Sequence, residues 1–139
     1  MDKIERILKK LNVLVVDDME AMRCMVTGCL NDLGIRKYRV APNGNVAWGQ
    51  LQNSTADIII CDWDMPQVSG IEFLKMVRSS ERHKHIPFLM LTATTDKKSV
   101  VEAVSCGVTD YLSKPFQPQE LEYRIIKLLR KLKSASTNT

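Results

Sequence analysis

Four short apolar runs constrain this chain more than any other feature: Val13-Leu-Val-Val16, Ile58-Ile-Ile-Cys61, Phe88-Leu-Met-Leu91 and the briefer Tyr111-Leu112. Each is too short for a buried helix and rich in β-branched or bulky residues, the pattern of strands buried on both faces. A weaker segment, Tyr38-Arg-Val-Ala41, alternates polar and apolar residues and ends in the turn signal Pro42-Asn43-Gly44, which suits a strand at a sheet edge. Between the runs the spacing changes to helical period. Met22, Val26, Cys29 or Leu30, and Leu33 form one stripe, which Gly34 closes. Further helices are predicted around 44–53, 70–79 and 97–106. A last helix carries Leu121, Ile125, Leu128 and Leu132 on one face, with Pro118 where a first-turn proline is tolerated.

Five strands alternating with five helices through short connections imply a parallel sheet covered on both sides, with right-handed crossovers. The expected fold is α/β: a doubly wound (βα)5 three-layer sandwich whose parallel five-stranded sheet has the order 2-1-3-4-5. A chain of 139 residues has the size of one domain, and 45% hydrophobic with 26% charged residues is a globular composition. Ile4, Ile7, Leu8 and Leu11 make an amphipathic N-terminal extension over 1–11, expected as a helix packed near the first strand, ahead of the domain at 12–132, and 133–139 read as a flexible polar tail. No run approaches the ~20 apolar residues of a membrane span, and the N-terminus lacks the apolar stretch of a signal peptide. A cytoplasmic protein without membrane insertion is expected.

Cys24, Cys29, Cys61 and Cys106 lie in apolar stretches with no C-x-x-C pairing, and read as reduced core thiols. His83 and His85 fall in a polar linker and read as surface loop. The net charge of +4 comes largely from Lys9, Lys10 and the segment 127–133. Solvated helix faces explain that charge, and without a nucleic-acid reading motif direct nucleic-acid binding is not expected.

In an open parallel sheet, ligands bind beyond the carboxyl ends of the strands. Asp17-Asp18, Asp62, Thr92 and Lys114 stand there. Singly, each has a structural explanation: a helix cap for Asp17 or Asp18, a turn before Pro66 for Asp62 and Asp64, local pairing for Thr92, a surface cation for Lys114. Together, at the ends of strands 1, 3, 4 and 5, they point to one site. Three carboxylates within ~6 Å repel strongly unless compensated. A Mg²⁺ ion and the Lys114 ammonium would balance them, and neither Cys nor His is placed to attract zinc. A carboxylate ionised beside such a metal is a nucleophile for phosphorus, and Asp62, on the central strand, is the best candidate. The Thr92 hydroxyl and a backbone N–H near Ala93 would donate to phosphoryl oxygens, with Ala93 leaving space and Lys114 neutralising the remaining charge.

The same residues resemble the receiver domain of two-component response regulators, of the single-domain chemotaxis type. The matching segments are Val-Val-Asp17-Asp18, Asp62-Trp63-Asp64-Met65-Pro66 with Gly70, Leu91-Thr92-Ala93, and Tyr111 followed by Lys114-Pro115-Phe116. They span 13–116, and their helical connections carry the likeness to about 132. The resemblance implies a flavodoxin-like, CheY-like fold with the receiver over 12–132. It implies Asp62 as phosphoacceptor, Asp18 as a direct Mg²⁺ ligand, Asp17 as an acidic partner acting mainly through water, and Asp64 as donor of a backbone carbonyl to the metal. Mn²⁺ would be an alternative ion. Thr92 and Tyr111 are implied as a coupled switch pair, Lys114 as the phosphoryl-contacting lysine, and Pro115 as a cis-proline.

Phosphorylation would remodel the face formed by the helix around 97–106, the fifth strand and the last helix. Lys97, Val100, Tyr111 and Arg124 lie on or near it, a basic rim around apolar positions that suits an acidic amphipathic partner. The implied partners are a sensor histidine kinase or chemotaxis-type kinase and a downstream protein target. Asp64 and Thr94 stand where family members vary and where access of the hydrolytic water is tuned.

A haloacid-dehalogenase-like phosphatase also places a D-x-D after a strand, as in Asp62-Trp63-Asp64, but its paired acidic motif comes late, whereas Asp17-Asp18 precedes the nucleophile. A non-phosphorylated interaction module would keep the fold without needing the whole residue set. The expectation is a signalling phosphoacceptor rather than a metabolic enzyme. Lack of an output domain suits a free-standing regulator, and a receiver excised from a longer one would read the same.

Overall fold

The computed structural model describes residues 3–93 and 96–137, with side chains described through Lys131. A first helix, α1 (Lys3–Lys10), leads into β1 (Asn12–Val16) and α2 (Glu20–Leu33). Next come β2 (Lys37–Ala41), α3 (Gly44–Asn53), β3 (Ile58–Asp62) and α4 (Gly70–Arg78). β4 (Phe88–Thr92), α5 (Lys97–Ser105), β5 (Asp110–Ser113) and α6 (Pro118–Thr137) follow. All strand pairs are parallel, in the order β2-β1-β3-β4-β5, with Val13 beside Ile58, Ile59 beside Phe88 and Met90 beside Tyr111. This is the doubly wound sandwich expected from the apolar runs.

Alternation along each strand sorts the core into two layers. Val13, Val15, Ile58, Ile60, Leu89 and Leu91 meet Val26 and Leu30 of α2 and Leu121, Ile125 and Leu128 of α6. Leu14, Ile59, Phe88 and Met90 meet Leu51 of α3, Phe73 and Leu74 of α4 and Ala103 of α5. Every residue of β3 and β4 is buried, which is why these strands read as unbroken apolar runs. Burying one such aliphatic side chain contributes about 1.5–3 kcal/mol. β2, at the sheet edge, keeps Lys37 and Val40 exposed.

Helix ends follow local chemistry. Asn43 and Ser69 accept the N–H groups of Val46 and Glu72 to start α3 and α4, and Asp96 accepts from Ser99 to start α5. Gly34 closes α2 with φ 92°, a left-handed position that favours glycine. Two features of the helices differ from the sequence reading. α6 continues to Thr137, so the segment set apart as a polar tail at 133–139 begins inside a helix; residues 138–139 and the Leu132 side chain lie outside the described parts. Cys24 is exposed on the outer side of α2 and Cys106 half-buried, so only Cys29 and Cys61 are buried thiols.

Candidate functional site

The site is built where β1, β3, β4 and β5 end. Hydrogen bonding of the sheet continues past the last strand residues: the Asp17 N–H donates to Ala41 O at 3.1 Å, Trp63 N–H to Leu91 O at 2.9 Å and Lys114 N–H to Thr92 O at 2.7 Å. The chain is therefore still held in register where the polar residues begin. One carboxylate oxygen from each of Asp17, Asp18 and Asp62 lies within 4.8 Å of the others. The Lys114 ammonium donates to Asp62 Oδ1 at 2.8 Å and lies 3.6 Å from Asp17 Oδ2. Asp17 is 1% and Asp62 6% exposed, whereas Asp18 is open to solvent.

Charge in so dry a place is costly unless paired. Burial pushes the Asp62 carboxyl above the usual carboxylate range; the Lys114 hydrogen bond opposes that rise, and the charges of Asp17 and Asp18 add to it. Burial works to lower the Lys114 pKa, but the hydrogen bond and charge of Asp62, joined by Asp17, carry it above the ordinary lysine value. The lysine thus stays charged and partly neutralises the acidic group. Asp17 Oδ2 is buried without a hydrogen-bond partner among the described residues. An acceptor in that state, beside two further carboxylates and with no thiol or imidazole in the group, fits a hard, oxygen-ligated divalent cation.

The other anticipated residues are distributed as follows. Thr92 is buried at the end of β4, and Ala93 follows it, exposed. Tyr111 is half-buried on β5 and packs against the layer containing Phe88 and Met90. The Lys114-Pro115 peptide is cis. Asp64 is exposed in the loop after β3, and Thr94 lies outside the described residues. Lys97 opens α5 exposed, Val100 is half-buried one turn later, and Arg124 on α6 donates to both carboxylate oxygens of Asp110, at 3.1 and 3.2 Å.

Sequence reasoning missed three supports. Arg23, in the first turns of α2, donates to the Asp17 carbonyl at 2.7 Å, while Asp17 Oδ1 accepts the Met19 N–H at 2.9 Å; together they fix the acidic turn. Arg78 donates to the carbonyls of Gly107, Lys84 and Ile86 at 2.9, 3.1 and 2.7 Å, tying α4 to the segments on either side of β4. His83 is not the surface-loop residue expected: it is 1% exposed, 3.2 Å through Nδ1 from Thr55 Oγ1 and edge-on to Trp48. The signal available for Arg23 was its spacing of six from Asp17, which is too common to act on.

A doubly wound sheet with three carboxylates and a lysine gathered at its carboxyl edge defines the receiver class of signalling domains. Residues 13–126 match the response regulator receiver domain family, and the chain belongs to that family. It is similar to chemotaxis protein CheY-3 of Vibrio cholerae, 37% identical over 130 residues that cover 93% of this chain and 100% of that protein. Chemotaxis protein CheY of Pseudomonas aeruginosa is also 37% identical, over 88% of this chain and 98% of its own length. The solved structure of the Vibrio cholerae chemotaxis response regulator CheY4 superposes with a TM-score of 0.76 at 37% identity, covering 87% of this chain and 97% of that one. Family membership leaves the phosphatase alternative without support. Among the described residues, no helix is long and apolar enough to cross a membrane.

Proposed function

We propose that this protein is a phosphorylation-activated response regulator that accepts a phosphoryl group on Asp62 from a phosphohistidine of a sensor or chemotaxis-type kinase. The reading is carried by the convergence of the Asp17, Asp18 and Asp62 carboxylates with a lysine ammonium 2.8 Å from Asp62. Asp17, Asp18, Asp62 and the backbone carbonyl of Asp64 would hold Mg²⁺, or Mn²⁺ in its place; once bound, the ion screens negative charge on the phosphoryl oxygens. Asp62 supplies the attacking carboxylate oxygen. An O–P bond to Asp62 forms as the N–P bond of the donor breaks, and the donor imidazole leaves with the electron pair. Lys114 turns its ammonium from the Asp62 carboxylate to the phosphoryl oxygens, and the Thr92 hydroxyl and the Ala93 N–H donate to them.

Drawing Thr92 toward the phosphoryl group opens space for Tyr111 to turn inward, a shift between two populations rather than a new fold. The α5-β5-α6 face would carry that change to a downstream protein. Val101, Val104 and Tyr123 are all more than half exposed there, beside the basic Lys97 and Arg124. Similarity to the chemotaxis proteins of Vibrio and Pseudomonas supports a role in chemotaxis, exercised in the cytoplasm. Intact-mass measurement after incubation with acetyl phosphate and Mg²⁺ tests the assignment. One phosphoryl group is expected on wild type and none on Asp62→Asn; an unlabelled wild type overturns it.

A further inference from the structure

The end of the molecule away from the acidic site carries an apolar groove. Ile4, Ile7 and Leu8 of α1 form one wall, Ile126 and Leu129 of α6 the other, and Leu33 of α2 the floor, around a volume of about 330 Å³. That lies at the lower end of ligand-pocket sizes. The groove continues past Leu8 and Leu33 into a second depression that reaches Lys9 and Arg36, while Arg130 stands at its other border. Those three cations are exposed, and among the described residues Glu5 is the one carboxylate lining either depression. Ile4 is 60% exposed although it belongs to the apolar stripe of α1.

We propose that this groove is a docking site for an acidic amphipathic helix of a partner protein, occupied regardless of phosphorylation. Its aliphatic floor with cationic borders matches a helix with apolar anchors at i, i+3, i+4 and i+7 and carboxylates on the flanks. A second copy of this chain fits poorly, because an isologous contact sets one patch against the same patch, and here that would bring two cationic borders together. A lipid surface fits poorly as well: the groove is concave, and among the described residues only Ile4 of its aliphatic lining projects, the others being half-buried in the walls. Independence from phosphorylation follows from position. α2 begins beside Asp17-Asp18 and reaches the groove only at Leu33, the last of its 14 residues, a separation of about 20 Å. On α6, which the groove shares with the α5-β5-α6 face, Arg124 reaches Asp110 while Ile126, two residues on and so about 200° further round the helix, lines the groove, which turns the groove wall away from the β5 side.

The test is a titration of the isotopically labelled full chain, followed by amide chemical shifts, with a synthetic helix-forming peptide bearing Leu at the anchor positions and Glu elsewhere. Shift changes are expected in α1, the end of α2 and the second half of α6, and are the same with and without acetyl phosphate and Mg²⁺. Ile4→Glu, at an exposed position that folding does not need, should weaken binding about tenfold, and Arg130→Glu should weaken it further. Equal binding of a peptide with Lys in place of Glu overturns the proposal, as do shifts confined to the α5-β5-α6 face. Binding to phosphatidylserine vesicles with the peptide inert, or dilution-dependent self-association through Ile4, would assign the groove to lipid or to a second copy instead. None of these results touches labelling of Asp62, so the two readings fail separately.

Discussion

Burial acts on Asp62 and His83 with opposite results. At Asp62 it raises the pKa of an acid, and Lys114 only partly offsets the rise. At His83 burial, helped by the charge of Arg82, lowers the pKa of a base, and the ring fits between Thr55 and Trp48 in its neutral form. With the folded-state pKa depressed, the unfolded chain takes up the proton first as pH falls. The stability that neutral His83 contributes is complete above about pH 6.5 and is lost as pH falls through the lower folded-state value. Urea midpoints measured between pH 7 and pH 5 should therefore drop more for wild type than for His83→Gln; parallel curves would remove His83 as the cause. Asp62 and its companions were legible as sequence because each stands within two residues of the end of an apolar run. His83 was not, since its cover comes from Trp48 and Thr55, 35 and 28 positions earlier.

Among the elements, glycines separate helix propensity from close packing. Gly28 lies inside α2 with nothing within 4 Å of where a Cβ would stand. Gly28→Ala should raise stability by about 0.5–1 kcal/mol, read as a higher denaturant midpoint. Gly70 opens α4 with its N–H on Trp63 O at 2.8 Å, and a Cβ there would collide with the Asp62 carbonyl oxygen and meet Trp63 Cα at 2.9 Å. Both are backbone atoms of the segment that carries Asp62. Gly70→Ala should cost about 1–3 kcal/mol and slow labelling of Asp62, the second effect being absent from Gly28→Ala. Strand positions were legible because β3 and β4 are buried on both faces, and helix positions because their apolar residues recur at helical period. The meeting of α1 with α2 and α6 was not legible, because its stripe fixes which side packs but not every neighbour it meets.

For the molecule as a whole, a cation that binds the folded acidic site and not the open chain must raise stability by mass action. At a free Mg²⁺ concentration of a hundred times Kd the gain is about 2.7 kcal/mol. Thermal unfolding in MgCl₂ should show it, against NaCl at equal ionic strength. The emission of half-buried Trp63 should change over the same concentration range and stay constant in Trp63→Phe; a flat wild-type response would speak against the metal site. The two poles of the molecule are joined by α2, and that helix carries Cys24. Cys29 and Cys61 are buried, Cys61 with its thiol pushed well up by burial and by Asp62 and Asp17, while Cys24 faces water. A maleimide dye should therefore react first at Cys24 on the native protein, placing a fluorophore between the acidic site and the groove with no engineered residue.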